Sequence, residues 1–104
     1  MLTTFLQAIH EKRLLSIDFI AKEDNLLRNR KCVAFDFGPS RKFKDNSDRF
    51  HFLDLNSPDG KHNLSILPSQ IHKIELLDEN FEPKNYVTWH PINWIVKRDW
   101  GIYS

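Results

Sequence analysis

Arg49 and His51 stand two apart in the stretch RFHFLDL, with Phe50 and Phe52 interleaved. In extended backbone that spacing puts both polar side chains on one face and both rings on the other. A face carrying a guanidinium and an imidazole suits anions, and with an aromatic ring nearby it suits single-stranded nucleic acid, whose phosphates meet the cations while its bases stack. Arg30, with Phe19 or Phe43 beside it, would complete such a surface. The plainer alternative is a solvated strand face. Other chemistries find less support. His51, His62 and His72 lack the close spacing of zinc ligands, and the chain has one cysteine. No serine sits in a nucleophile-elbow context. Paired-carboxylate hydrolysis needs a cleft that so small a domain seldom provides. The three glycines, Gly38, Gly60 and Gly101, lie too far apart to cradle a phosphate. Neither an enzyme nor a bound cofactor or metal is expected.

Net charge gives no global pull toward nucleic acid or anionic lipid, since 15 basic residues face 14 acidic ones. Locally the balance differs. From Arg28 to Arg49 stand Arg28, Arg30, Lys31, Arg41, Lys42, Lys44 and Arg49 against Asp36, Asp45 and Asp48, whereas Glu75 to Glu82 carries acids alone. Cys32, the sole cysteine, fits a small buried residue on a strand better than a reactive thiol. With no disulfide possible, no charged apolar leader and no run long enough to span a membrane, a cytoplasmic protein is expected.

These side chains are positioned by short elements. Thr4-Phe5-Leu6-Gln7 has capping-box spacing, and Leu2, Phe5, Leu6 and Ile9 recur at helical intervals, predicting one helix to about Lys12 or Arg13. The period then changes to two. Leu15, Ile17 and Phe19 oppose Leu14, Ser16, Asp18 and Ile20 in a first strand. After a polar loop over 21–29, Val33, Phe35 and Phe37 oppose Cys32, Ala34 and Asp36 in a second, over 31–37. Residues 40–48 read as a charged, mobile loop. Arg49–Leu55 and His62–Leu67 form a hairpin around Ser57-Pro58-Asp59-Gly60, where proline supplies φ near −65° and glycine tolerates positive φ. Phe50, Phe52, Leu64 and Ile66 should face inward. Leu67-Pro68-Ser69-Gln70 predicts a 3₁₀ turn, and Ile71–Leu77 a fifth strand. The expected fold is mainly β: a small five-stranded antiparallel SH3/Sm-like barrel over residues 1–83 with a short N-terminal helix. Residues 84–104 add an aromatic extension. Tyr86, Trp89, Trp94, Trp100 and Tyr103 are too many rings for a free tail. Trp89, Trp94 and Trp100 should pack on the barrel or, failing that, across a homodimer.

The order AIHEKRLLSIDF, RKCVAFDFG, RFHFLDL and LSILPSQIHKIELLDENFEP, over residues 5 to 83, resembles the WYL domain, a small Sm-like barrel of bacterial transcriptional regulators. In that alignment Phe19 stands at the aromatic end of the first strand and Arg30 at the arginine opening the next. Phe50-His51-Phe52 replaces the naming tripeptide, and Gln70 takes a later arginine's place before Ile71. The resemblance implies a ligand-sensing module, with single-stranded nucleic acid or a small anionic ligand as partner. Phe19, Arg30, Lys31, Arg49, His51 and Gln70 are its candidate site residues. An oligomerising or adaptor protein working through the aromatic tail is the alternative.

Overall fold

A computed structural model describes residues 1–104. Helix α1 (Leu2–Glu11) leads through Lys12, whose left-handed φ of 53° turns the chain, into strand β1 (Arg13–Ile20). Strands β2 (Leu27–Pro39), β3 (Asp48–Asp54), β4 (His62–Ile66) and β5 (Ile71–Asn80) follow, with a 3₁₀ turn at Pro68–Gln70. The helix does not use the expected capping box. It starts at Leu2, no side chain caps it, and Gln7 instead donates to Glu11 one turn on, at 2.8 Å. The N-cap is thus Met1, three residues before Thr4, and Phe5, Ala8 and Ile9 form the buried face.

All pairings are antiparallel, in the order β4-β3-β2-β1-β5. No ladder joins β4 to β5, so in hydrogen bonding the structure is a five-stranded sheet, its two edge strands linked by the 3₁₀ turn. Alternation along each strand sorts the side chains onto two faces. On the inner face Leu15 pairs with Cys32 and Leu76, Ala34 with Phe52, and Phe52 with Leu64. Helix α1 covers this face, and Phe5 meets the rings of Phe50 and Phe52 edge-on at 5.0 and 5.3 Å. Phe50, Phe52 and Ile66 are buried as the hairpin pattern predicts, and Leu64 is half-buried.

Strand β2 departs from simple alternation. Ala34 pairs with Phe52 but Asp36 with His51, so Phe35 is an extra residue, a β-bulge that shifts everything after it by one. Phe37 therefore joins the inner face, its ring 4.7 Å from Phe50, and Asp36 moves to the outer face. The expected grouping of Asp36 with Cys32 and Ala34 is corrected by this one residue. Strand β2 also begins at Leu27 rather than Lys31, taking up part of the expected loop to pair with β1.

Cys32 is fully buried. Burial pushes its thiol far above the ordinary cysteine range, and the Asp54 carboxylate opposite it in the ladder adds to the effect. Because the thiolate is the reactive form, the native chain should not react with a chromogenic disulfide at about pH 8 and should release one equivalent only when unfolded. Rapid labelling of the folded protein would contradict the placement.

The C-terminal segment lies on the domain itself. The Trp100 indole donates to the Ile9 carbonyl of α1 at 2.8 Å and its ring meets Phe81 at 5.4 Å. The Trp94 indole donates to the Tyr103 carbonyl at 2.7 Å, and Trp94 and Trp89 reach Phe35 at 5.7 and 5.5 Å. Trp100 is buried and Trp94 half-buried, whereas Trp89 stays 40% exposed, contrary to the expectation that all three are mostly covered. Phe35 and Trp94 meet its ring edge-on at 5.5 and 5.7 Å and leave the rest in solvent.

Asp36 fixes this segment. One carboxylate oxygen accepts from the Ile95 amide and the other from Val96, both at 2.9 Å, and the Arg98 guanidinium stands 3.5 Å away. Arg98 is clamped between Trp94 and Trp100, 3.9 and 4.4 Å from their ring centres, and burial lowers its pKa to about 10 against the pull of Asp36. Gly38 permits the close approach: a Cβ there would lie 2.5 Å from Ile95 Cδ1. No helix is long and apolar enough to cross a membrane.

Candidate binding groove

The six candidate residues do not form one patch. Arg30 and Phe19 sit on the inner face, where Ile17 and Leu15 also point, while Arg49 and His51 sit on the outer one. Phe19 is buried against Ile71 on β5, which removes it as a stacking platform. Arg30 is held 3.3 Å from the buried Asp54, and its Nη1 donates to the Asn29 carbonyl. Phe19 and Arg30 do line one cavity, about 530 Å³, but it also contains Glu23, Asp54 and Asp59, and Arg28 there is paired with Asp24 at 2.8 Å. That mouth has no surplus of positive charge. Lys31 reaches Glu79 at 2.7 Å across the sheet. Gln70 closes the 3₁₀ turn, accepting from the Leu67 amide and donating to the Ile20 carbonyl, both at 3.1 Å.

Arg49 is 4% exposed. Its guanidinium lies 4.0 Å from the centre of the Phe43 ring and 3.1 Å from Asp45, whose carboxyl is held below the usual range first by the Ser47 amide and then by Arg49. The residue expected to meet a ligand instead anchors the 40–47 loop. The Ser40 hydroxyl adds a second anchor, accepting from the Lys42 and Phe43 amides. The loop expected to be mobile is thus tied to β3 at its centre.

His51 is the candidate that opens onto a second groove, of about 440 Å³, on the outer face. Its floor is Phe35 and Asp36 of the β2 bulge. One wall is the anchored loop, with Arg41 and Lys42; the opposite wall is the C-terminal segment, with Trp89 and Trp94; Asn63 and Ser65 of the edge strand β4 complete it. Arg41 and Lys42 are exposed and enter none of the ion pairs of the chain. Asp36, the one acid in the lining, is occupied by the Ile95 and Val96 amides. The sign of the groove is therefore positive.

Within it, His51 Nδ1 is 2.9 Å from Ser65 Oγ and Nε2 is 2.9 Å from the Gly38 carbonyl. Sequence reasoning named His51 but missed Ser65, Arg41, Lys42 and Trp89 as its companions. The local surplus of bases between Arg28 and Arg49 did signal Arg41 and Lys42; Ser65 carried no signal beyond its place opposite His51 in the hairpin. No cluster of three His, Cys, Asp or Glu side chains is placed to hold a metal ion, and His62 lies 3.8 Å from Asp54 while His72 is exposed on β5.

The fold and groove define a mainly β domain with one helix packed on the inner face of its sheet and an aromatic C-terminal segment that reaches from Phe35 at the groove to Ile9 of the helix. Comparison with family models, with curated proteins and with solved structures finds no match in any of the three.

Proposed function

We propose that this chain is a non-enzymatic binding module whose outer-face groove takes a ligand combining a planar ring with negative charge: a short single strand of nucleic acid or a small anionic molecule of the same chemistry. The observation that carries this reading is the presence in one groove of two cations without an acidic partner, Arg41 and Lys42, the latter 5.6 Å from the centre of the Phe43 ring, together with the part-exposed ring of Trp89. Cations on one wall suit phosphate and an exposed indole on the other suits a base, a combination that is sequence-tolerant because every base has a stackable face. The resemblance to WYL domains favours a ligand-sensing, regulatory role in a bacterial transcription system, and a reducing cytoplasmic compartment suits the lone buried Cys32.

Fluorescence anisotropy with short labelled DNA and RNA strands at low salt tests it. Binding should weaken with added salt, with a log–log slope of about −0.7 per phosphate neutralised. Arg41→Glu with Lys42→Glu should weaken binding tenfold or more while the far-ultraviolet circular dichroism stays unchanged, since exposed substitutions shift stability by only about 0.5 kcal/mol. Trp89→Ala should remove a stacking contribution of about 1–3 kcal/mol. Affinity indifferent to salt and to all three substitutions would place any binding elsewhere.

One observation favours a second reading. Trp89, Ile95 and Ile102 all expose apolar surface on the C-terminal segment, which suits an oligomerising or adaptor protein. Light scattering decides it: a concentration-dependent dimer that Ile102→Lys dissociates would support that role.

A further inference from the structure

We propose that Ser65 determines the specificity of the groove, and that the protonation state of His51 sets whether Ser65 reads a hydrogen-bond donor or an acceptor on the ligand. The inference rests on the groove being the binding site. Its basis is the chain of contacts Gly38 carbonyl, His51, Ser65 hydroxyl, each link 2.9 Å. A carbonyl can only accept, so Nε2 carries a hydrogen in either charge state. In the neutral ring Nδ1 then has a lone pair and no hydrogen, and the Ser65 hydroxyl must donate to it. What Ser65 presents to the groove is its oxygen lone pairs, which pair with an N–H on the ligand. In the imidazolium Nδ1 carries a hydrogen and donates to Ser65 Oγ. The hydroxyl hydrogen is released toward the groove and pairs with a ligand carbonyl. One proton on His51 thus reverses the polarity that Ser65 offers.

The charged groups nearest His51 come from β2, from β3 and from the 40–47 loop. On β2, Asp36 faces His51 across the ladder, its oxygens engaged by Ile95, Val96 and Arg98. On β3, Arg49 lies two positions away, neutralised by Asp45. From the loop come Arg41 and Lys42, and β4 contributes only the uncharged Asn63, Leu64 and Ser65 to the groove. Histidine is the side chain whose charge ordinarily changes between about pH 5 and 8. Asn63 and Asn93 each offer both a donor and an acceptor, and the Ser40 hydroxyl oxygen is engaged by the Lys42 and Phe43 amides whatever the state of His51, so the choice that changes with pH falls to Ser65.

Cytosine and uracil present an amino donor and a carbonyl acceptor at the same ring position, which makes their nucleotides the matched probes. Calorimetric titration with cytidine and uridine monophosphate compares them at about pH 8 and pH 5.5. The phosphate's second ionisation near pH 6 is common to both and cancels in their ratio. The cytidine nucleotide should bind tighter at the higher pH and the uridine nucleotide at the lower, each preference about two- to tenfold, the worth of one hydrogen bond. Ser65→Ala should bind both with a ratio that no longer depends on pH. Parallel titrations with oligocytidine and oligouridine of about four nucleotides distinguish a strand from a free nucleotide as the occupant. A ratio that stays constant with pH, or one that still shifts in Ser65→Ala, overturns the inference while leaving the groove as the binding site. If no nucleotide or oligomer binds, the binding reading itself falls and this inference with it.

Discussion

Phe52→Ala should destabilise the domain by about 3–5 kcal/mol, the range for losing a buried aromatic. The cost depends on how far the surroundings can close over the space. Phe52 is 1% exposed and meets Phe5 of α1 at 5.3 Å and Phe50 at 6.3 Å. Its neighbour across the β2 ladder is Ala34, itself fully buried, whose methyl group cannot reach into the gap. On the other side Leu64 belongs to β4, the edge strand, and is the one neighbour free to shift. Stability of a domain this size is about 5–15 kcal/mol, so one substitution would remove a large part of it. Urea denaturation followed by far-ultraviolet circular dichroism gives the measurement. A loss under about 1 kcal/mol would mean that the ring does not sit between helix and sheet, since even single-methyl core deletions reach that size.

The hairpin was legible because its instructions are local. Proline and glycine in Ser57-Pro58-Asp59-Gly60 specify the turn, and the structure has Gly60 at φ 96° with its amide on the Ser57 carbonyl at 3.0 Å. Period-two alternation likewise put Leu15 and Ile17 on one shared face and Phe50 and Phe52 inward without knowledge of their partners. The bulge at Phe35 had no such signature. Its sequence, Val33-Ala34-Phe35-Asp36-Phe37, alternates as well read one way as the other, and only the pairing with β3 and the docking of the C-terminal segment decide where the extra residue falls. That single step moved Asp36 to the outer face and with it the whole groove. Charge was legible as a sum and not as a map. Of the seven bases between Arg28 and Arg49, Arg28, Arg30, Lys31 and Arg49 are each matched to an acid, two of those acids lying far off in sequence or on another strand. Arg41, Lys42 and Lys44 keep the surplus, on the loop that Arg49 anchors.

Asp36→Ala should release the C-terminal segment and lower stability by about 3–5 kcal/mol, the effect of leaving one member of a buried ion pair without its partner. Three amide donors lose their acceptor at once: Phe37 at 3.0 Å, and Ile95 and Val96 at 2.9 Å. Arg98 loses its counter-charge while its side chain remains fully enclosed, with Nη1 already lacking a hydrogen-bond partner. Burial already lowers the pKa of this guanidinium against the pull of Asp36, and without the carboxylate the cost of burying the charge stands unopposed. The way to restore hydration is for the segment to lift away. All three tryptophans of the chain, Trp89, Trp94 and Trp100, lie in that segment, so intrinsic tryptophan emission of the ligand-free protein reports its docking. Emission should shift to the red in Asp36→Ala under conditions where circular dichroism still shows the folded sheet. The groove loses its Trp89 wall in the same step, and ligand affinity should fall with it. Replacing Arg98 as well, in Asp36→Ala with Arg98→Met, removes the stranded charge and keeps an apolar chain between the two indoles, so part of the stability and of the blue emission should return. Wild-type emission in the single variant, with a loss of stability below about 1 kcal/mol, would show that the aromatic contacts of Trp94 and Trp100 hold the segment without the carboxylate.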